Sequence, residues 1–330
     1  MLNDYDYDYE LPIELIAQKP IDKRDESKLL VSDKGLYHKR FHNIIDYFKE
    51  GDVLVLNETK VKPSVFYGKK KTGSPCRIVI ENKICEKEYV CKLKTRTPKK
   101  GNILLFDGFN GEIVSADNGT FIIRFDKDID DLIIKQGKLL YPDYVKNHDI
   151  DPNRYQTVYG SKEGSLAAPT ASLHFTDELL KRIEKKGVII AYVTLHVSYG
   201  TFLPINTDDF SKHKMQEEYF EVSEDSAETI NSAKRLFVSG TTALKCLESC
   251  DWEKDKIIPN FGFSKLFIYP GHVFKTPIKG FITNFHLPKS TLLLLVSALI
   301  GREKILELYK IAIENKYRFY SFGDAMLILA

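Results

Sequence analysis

Apolar positions along this chain follow two rhythms. From about residue 152 onward, compact apolar runs alternate with segments of helical spacing. "VIIAYVTLHV" (188–197), "LFVSG" (236–240), "KLFIY" (265–269) and "GFITN" (280–284) read as buried strands. "TDELLKRIEKKG" (176–187) reads as a helix with Thr176 as N-cap, acidic residues just inside and Gly187 beyond its end. "SEDSAETINSAKR" (223–235) and "TTALKCLES" (241–249) give two more helices, and two others follow "NFHLPKS". Toward the start, Pro12 opens a short helix in "LPIELIAQ", while "KLLV" and "DVLVLN" suit buried strands. Between 62 and 126 the pattern changes to "CRIVIE", "EYVCKLKT", "NILLF", "GEIVSA" and "TFIIRF", short strands about ten residues apart with Gly and Asn turns. These two rhythms predict an α/β core, 1–61 and 130–330, mainly parallel in its sheet, carrying a small antiparallel β-barrel inserted at 62–129.

The most apolar run, Thr291 to Ile300, is ten residues long, half of what a bilayer span needs. It reads as a buried helix with Ser290 or Thr291 as N-cap. The N-terminus, acidic and aromatic, has none of the features of a signal peptide, and five cysteines without a CxxC pair point to a reducing, cytoplasmic setting. No membrane contact and no protein partner is implied.

Charge changes the picture more than composition does. The chain carries a formal +2 over 330 residues, yet the stretch from Lys60 to Lys100 holds 13 Lys/Arg against three Glu. A basic island on a near-neutral protein is either a solvated lysine-rich surface or a face for polyanions.

Polar residues gather where strands end. "SLAAPTASLHFT" places Thr170 and His174 before a helix. "VTLHVSYGTF" ends a strand with His196, Gly200, Thr201 and Phe202. "VSGTTALK" and "ITNFHLPKST" are strand–turn–helix units with Thr241 and Thr242 in one, Asn284, His286, Lys289 and Ser290 in the other. Free N–H groups at such helix starts suit an anion or carboxylate. Ends of this kind converging in an α/β core indicate a small-molecule pocket. The chain has no P-loop, GxGxxG or GxSxG pattern. Of eight histidines, His174, His196, His213 and His286 sit in polar clusters, but the tight spacings of common zinc sites are missing, so no metal is assigned.

In order along the chain, "DYDYELPIELIAQKP", "VLVLNETKVKP", "RYQTVYG", "GSLAAPTASLHFT", "VTLHVSYGTF", "HKMQEEYFEV", "GTTALKCLES", "YPGHVFK", "ITNFHLPKSTLLLLVSALIG" and "YRFYSFGDAMLI" resemble the S-adenosylmethionine:tRNA ribosyltransferase-isomerases of queuosine biosynthesis, the QueA family. The resemblance covers nearly the whole chain and is weakest across 65–150. Ser172 and Ser198 stand where that family usually has glycine, and Lys245 where arginine is expected. The resemblance implies an α/β domain with an inserted barrel. It implies transfer and isomerisation of the ribosyl part of S-adenosylmethionine onto 7-aminomethyl-7-deazaguanine at the wobble position of a tRNA, giving epoxyqueuosine-tRNA and releasing adenine and methionine. S-adenosylmethionine is then a substrate, and no prosthetic group is implied. Proton handling falls to His174, His196 and His286, with Glu218 or Asp324 as carboxylate partners. Thr170, Phe175, Gly200, Thr201, Phe202, Thr241, Thr242, Asn284, Lys289 and Ser290 are candidates for the S-adenosylmethionine site. Lys60, Arg154, Tyr155, Gln156 and Arg318, with the basic barrel, are candidates for RNA contact. Two alternatives remain: a catalytically lapsed RNA-binding protein on this scaffold, motivated by the Gly→Ser differences, and a metal-dependent hydrolase built on the histidine clusters.

Overall fold

The computed structural model describes residues 7–329 apart from 118, 147–148, 203–204 and 206–208, and apart from the side chains of 202 and 211. The chain forms two compact units, 1–60 with 143–330, and 61–142. Strands are numbered β1–β19 and helices α1–α6 along the chain.

The larger unit is built on a nine-stranded mixed sheet. Its members are β1 (Lys28–Ser32), β2 (Leu36–Arg40), β3 (Asp52–Asn57), β12 (Ile189–Leu195), β13 (Glu218–Val222), β14 (Arg235–Ser239), β17 (Asn260–Ser264), β18 (Ile278–Asn284) and β19 (Ala325–Leu329). The order is β17-β13-β12-β3-β14-β18-β19-β1-β2. The central four, β12, β3, β14 and β18, are mutually parallel, and β19 pairs β1 in parallel. The other four neighbour pairs are antiparallel, so the sheet is mixed rather than mainly parallel. Two strands account for much of this. β2 is short and exposed and lacks apolar alternation, while β19, "AMLIL", follows the last helix with a buried run. "KLFIY" forms no strand; the sheet edge is instead the preceding "NFGFS".

Strand side chains alternate between two cores. Val53 and Val55 of β3, Val238 of β14 and Phe281 of β18 face one core with α3 (Glu224–Asn231), α4 (Thr241–Ser249), α5 (Thr291–Ile300) and α6 (Arg302–Glu314). Leu54, Leu56, Phe237 and Ile282 face the other, with α2 (Asp177–Lys185) and the 3-10 helix Phe41–Tyr47. Helix caps follow the sequence: the Thr176, Ser223 and Ser290 hydroxyls each accept a backbone N–H of the first turn. The stretch after Pro12 makes only a 3-10 turn, Ile13–Leu15, because the chain then runs alongside Phe319: the Leu15 carbonyl accepts the Phe319 N–H and the Ala17 N–H donates to the Phe319 carbonyl. Two small ribbons complete the unit, β11 (Lys162–Ser165) with β4 (Thr59–Val61), and β15 (Trp252–Glu253) with β16 (Lys256–Ile257). Among the described residues no helix is long and apolar enough to cross a membrane.

The smaller unit is a closed six-stranded antiparallel barrel of β5 (Val65–Lys70), β6 (Pro75–Cys85), β7 (Glu88–Thr95), β8 (Ile103–Phe106), β9 (Phe109–Asp117) and β10 (Thr120–Phe125), in the order β10-β7-β6-β5-β8-β9. "VFYGKK" is the strand the ten-residue rhythm omits; Gly68 lets it pass close to Leu105 and Phe106. The unit continues through α1 (Asp130–Gln136) to Pro142, because Ile129, Leu132 and Ile133 pack on the barrel's core.

Candidate functional site

The carboxyl ends of β12, β3, β14 and β18 carry a layer of polar side chains, the usual place for ligands in an open α/β sheet. Asn57 closes β3; its amide bonds both the C=O and the N–H of Leu195 on β12, at 3.1 Å each. Ser239 closes β14, and its hydroxyl lies 2.9 Å from that of Ser172. Asn284 closes β18. Its Nδ2 donates to the Tyr320 carbonyl, which leaves Oδ1 to accept from His174 Nε2 at 2.9 Å. His174 Nδ1 then accepts from the Ser27 hydroxyl at 2.8 Å, so the Nε2–H tautomer is fixed at both ends. Burial pushes this imidazole down to about 4, and it is neutral near pH 7.

His196 belongs to the same side of the sheet. Its Nδ1 lies 2.7 Å from Thr59 Oγ1, and its ring rests on Gly164, where an added Cβ would approach Nε2 to 2.6 Å. The ring also stacks on Tyr219 with centroids 5.5 Å apart. His196 is half-buried, unlike the other two candidates.

His286 goes elsewhere. It bonds Thr283, whose side chain points opposite to that of Asn284; its N–H donates to the Tyr309 hydroxyl, and its carbonyl accepts from Tyr9. His174 and His286 therefore hang on opposite faces of β18. Burial pushes His286 down to about 3. Both buried imidazoles sit below their ordinary 6.5, so between pH 6.5 and about 4 the unfolded chain binds protons that the folded one refuses. Stability is expected to fall with pH across that window by a few kcal/mol, on the order of 1.4 kcal/mol per unit of each shift. Thermal melts from pH 7.5 to 4.5 check this, with His286→Gln flattening the slope; a melting temperature constant over that range contradicts it.

Both carboxylates are engaged within the protein. Glu218 accepts the Ser198 N–H at 2.9 Å, the Ser198 hydroxyl at 3.3 Å and the buried Lys245 ammonium at 2.6 Å. Ser198 and Lys245 thus meet on one carboxylate. Asp324 accepts the N–H groups of Lys28 and Arg318 and lies 3.6 Å from the Arg318 guanidinium, tying the 318–324 turn to β1.

The two candidate helix starts differ. At α5 the Ser290 hydroxyl already caps Leu293, and Lys289 pairs with Asp8 at 3.1 Å. At α4 the preceding residue is Gly240, at φ 89°, and no side chain caps the first turn. Here the Thr242 hydroxyl is buried and has no hydrogen-bond partner among the described residues. An atom placed at the missing Gly240 Cβ would lie 3.6 Å from both Thr242 Oγ1 and Ala171, so the Thr170–Ser172 turn and the α4 start share one corner. Thr241 is buried beside it. This corner, with its open N–H groups and orphan hydroxyl, fits a carboxylate.

Other candidates are placed as follows. Phe175 is fully buried against Phe41, and Tyr155 against Phe322. The Gly200 N–H donates to Gln216, and Thr201 is half-buried nearby in the same 3-10 turn; the Phe202 side chain lies outside the described residues. Lys60 is exposed and Gln156 half-buried. Arg154 donates to the Ile21 and Asp22 carbonyls, and Arg318 reaches that of Lys19. Arg24, which no motif singles out, bonds the Leu173 and Asn153 carbonyls. With Arg154 and His174 it lines a small hollow closed by Ser321–Gly323. Burial and the neighbouring Arg154 charge pull the Arg24 pKa down. Among the described residues no group of three or more His, Cys, Asp or Glu is placed to hold a metal ion.

In the smaller unit the basic island divides. Lys62, Lys70, Lys83 and Lys92 are engaged by Glu81, the 96–97 carbonyls, Asp128 with Asp130, and Thr120. Lys69, Lys71, Arg96, Lys99 and Lys100 are exposed. Register places Lys69 opposite Pro75 and Leu105, and Thr95 opposite Cys76, so these five crowd one end of the barrel.

A layer of polar side chains at the carboxyl ends of parallel strands, with an open helix start beside it, stands where open α/β sheets place their ligands, and the smaller unit is a barrel with a basic rim. Residues 4–328 match the family described as queuosine biosynthesis protein, and the chain belongs to that family. It is 46% identical to an S-adenosylmethionine:tRNA ribosyltransferase-isomerase of Desulforamulus reducens, over 98% of this chain and 99% of that one. It is 44% identical to the one from Staphylococcus aureus strain JH9, over 99% and 100%. Among solved structures, the S-adenosylmethionine tRNA ribosyltransferase of Thermotoga maritima aligns with a TM-score of 0.56 and 32% identity, over 98% of this chain and all of that one.

Proposed function

We infer that this protein is an S-adenosylmethionine:tRNA ribosyltransferase-isomerase. It moves the ribosyl group of S-adenosylmethionine onto the aminomethyl nitrogen of 7-aminomethyl-7-deazaguanine in tRNA and isomerises it to the epoxycyclopentanediol. Full-length identity of 44–46% to proteins of that name supports this reading over a lapsed RNA-binding scaffold. The observation that carries the site is the corner at the α4 start, where Gly240, the orphan Thr242 hydroxyl and open N–H groups can take the methionine carboxylate.

The chemistry asks little of side chains at the first step. The sulfonium makes methionine a good leaving group from C5′, so alignment of the amine supplies much of the acceleration. The amine must lose its proton in a site that disfavours charge, and His196, half-buried and at the crevice edge, serves as that carrier. His174 is a positioning residue: both its nitrogens are committed, and through Asn284 it fixes the end of β18. Glu218 and Asp324 hold backbone in place, and His286 belongs to the core behind the sheet. The direct test is single-turnover adenine release from labelled S-adenosylmethionine with tRNA bearing the deazaguanine. Release by the wild type and at least tenfold slower release by His196→Gln are expected; equal rates would remove His196 from the chemistry.

The tRNA phosphates are proposed to engage the basic rim of the barrel. Affinity for the tRNA is then expected to fall linearly with salt on logarithmic axes. Replacing Lys71, Lys99 and Lys100 by Ala reduces the slope by about one per residue. A slope unchanged in the triple variant contradicts the assignment.

A further inference from the structure

The sheet edge two strands from His196 carries an exposed aromatic surface. Phe261 and Phe263 lie on β17, the last strand of the sheet, and are 73% and 72% exposed. They share a face, since Gly262 between them turns the other way, toward Phe220. Register sets Phe263 opposite Tyr219, and the Tyr219 carbonyl accepts the His196 N–H. His196, Tyr219 and Phe263 thus form one row across three strands, with ring centroids 5.5 and 5.8 Å apart. The next row is Thr194, Glu221 and Phe261. A Lys162–Glu221 ion pair at 2.9 Å and the Tyr219 hydroxyl keep this second row polar between the rings.

Bare aromatics on an edge strand invite aggregation, and proteins normally place charge there. Here the rings continue a row that begins at the end of β12 with His196, the residue assigned to the reacting amine. We propose that Phe261 and Phe263 are a stacking platform for unpaired bases of the tRNA that flank the reacting nucleotide. This rests on the ribosyl-transfer reading above. Stacking on planar side chains is how single-stranded RNA is held without sequence preference, because every base offers a π-face. Phe261 and Phe263 stand two residues apart on one strand, about 7 Å, a span that neighbouring splayed bases can match. A protein partner would be served by a continuous apolar face, whereas this one is interrupted by the Glu221–Lys162 pair.

The test compares wild type with Phe261→Ser/Phe263→Ser, Phe261→Leu/Phe263→Leu and Phe261→Tyr/Phe263→Tyr, using an anticodon stem-loop that carries 7-aminomethyl-7-deazaguanine. The Ser pair is expected to raise the KM for the RNA about 10- to 100-fold, with the KM for S-adenosylmethionine and the melting temperature unchanged. The Leu pair behaves like Ser, and the Tyr pair like wild type. An RNA KM unchanged in the Ser pair overturns the proposal. So does an unchanged RNA KM with a lower solution mass for the Ser pair than for the wild type, which would make the face a contact between copies of this chain. Absence of adenine release in the wild type would count against the ribosyl-transfer reading instead. Direct titration of the same variants with the stem-loop then decides the platform alone, by whether the Ser pair binds it at least tenfold more weakly.

Discussion

Glu218→Ala is expected to destabilise the fold by about 3–5 kcal/mol, because it leaves a buried ammonium without its counter-charge. Lys245 and Glu218 are both nearly out of solvent, and their 2.6 Å contact joins α4 to β13. The same substitution frees the Ser198 N–H and hydroxyl, which hold the segment after His196. The double variant Glu218→Leu/Lys245→Met removes both charges and is expected to regain most of the loss. Urea denaturation of the three proteins is the check. A loss below about 1 kcal/mol in the single variant would mean that the pair behaves as a solvated one. The hydroxyl of Ser198 and the ammonium of Lys245 converge on this one carboxylate.

The second large effect separates binding from stability. Thr242→Val keeps the shape of the side chain and deletes a buried hydroxyl that has no partner among the described residues. Removing an unsatisfied polar group leaves the fold as stable or more so. If that hydroxyl donates to the methionine carboxylate, a charge-assisted hydrogen bond is lost, and affinity for S-adenosylmethionine falls about 10- to 100-fold. Isothermal titration and a thermal melt on the same preparation test both halves. Unchanged affinity would move the carboxylate away from α4. A lowered melting temperature would mean that the hydroxyl has a structural role.

Much of the architecture was legible from spacing. The change from ten-residue strands to strand–helix alternation separates barrel from sheet, and the caps at Thr176, Ser223 and Ser290 stand where the sequence puts them. What spacing could not give was pairing. β2 and β19 join the sheet through partners far along the chain, and "KLFIY" has strand composition yet lies outside the sheet while "NFGFS" takes the edge. The site was legible at the level of strand ends. His174, His196, Asn284 and the α4 start follow from polar clusters that close apolar runs. Their division between two faces of β18 depends on whether Thr283 or Asn284 faces α2, which a residue beyond the strand end does not reveal. Asn57, Ser27 and Arg24 were invisible as site residues because each works on backbone or on another side chain, and nothing in "VLVLNETKVKP" or "DKRDESKLL" marks such a role.

The central claim is that one corner, between the α4 start and the Thr170–Ser172 turn, seats the amino-acid end of S-adenosylmethionine with its ribose toward His196. A crystal structure of the protein with S-adenosylmethionine bound tests it most directly. The account predicts the carboxylate within hydrogen-bond distance of the Thr242 hydroxyl and the first free N–H groups of α4. A methionine carboxylate seated instead at the Ser290-capped start of α5, on the His286 side of the sheet, would contradict it.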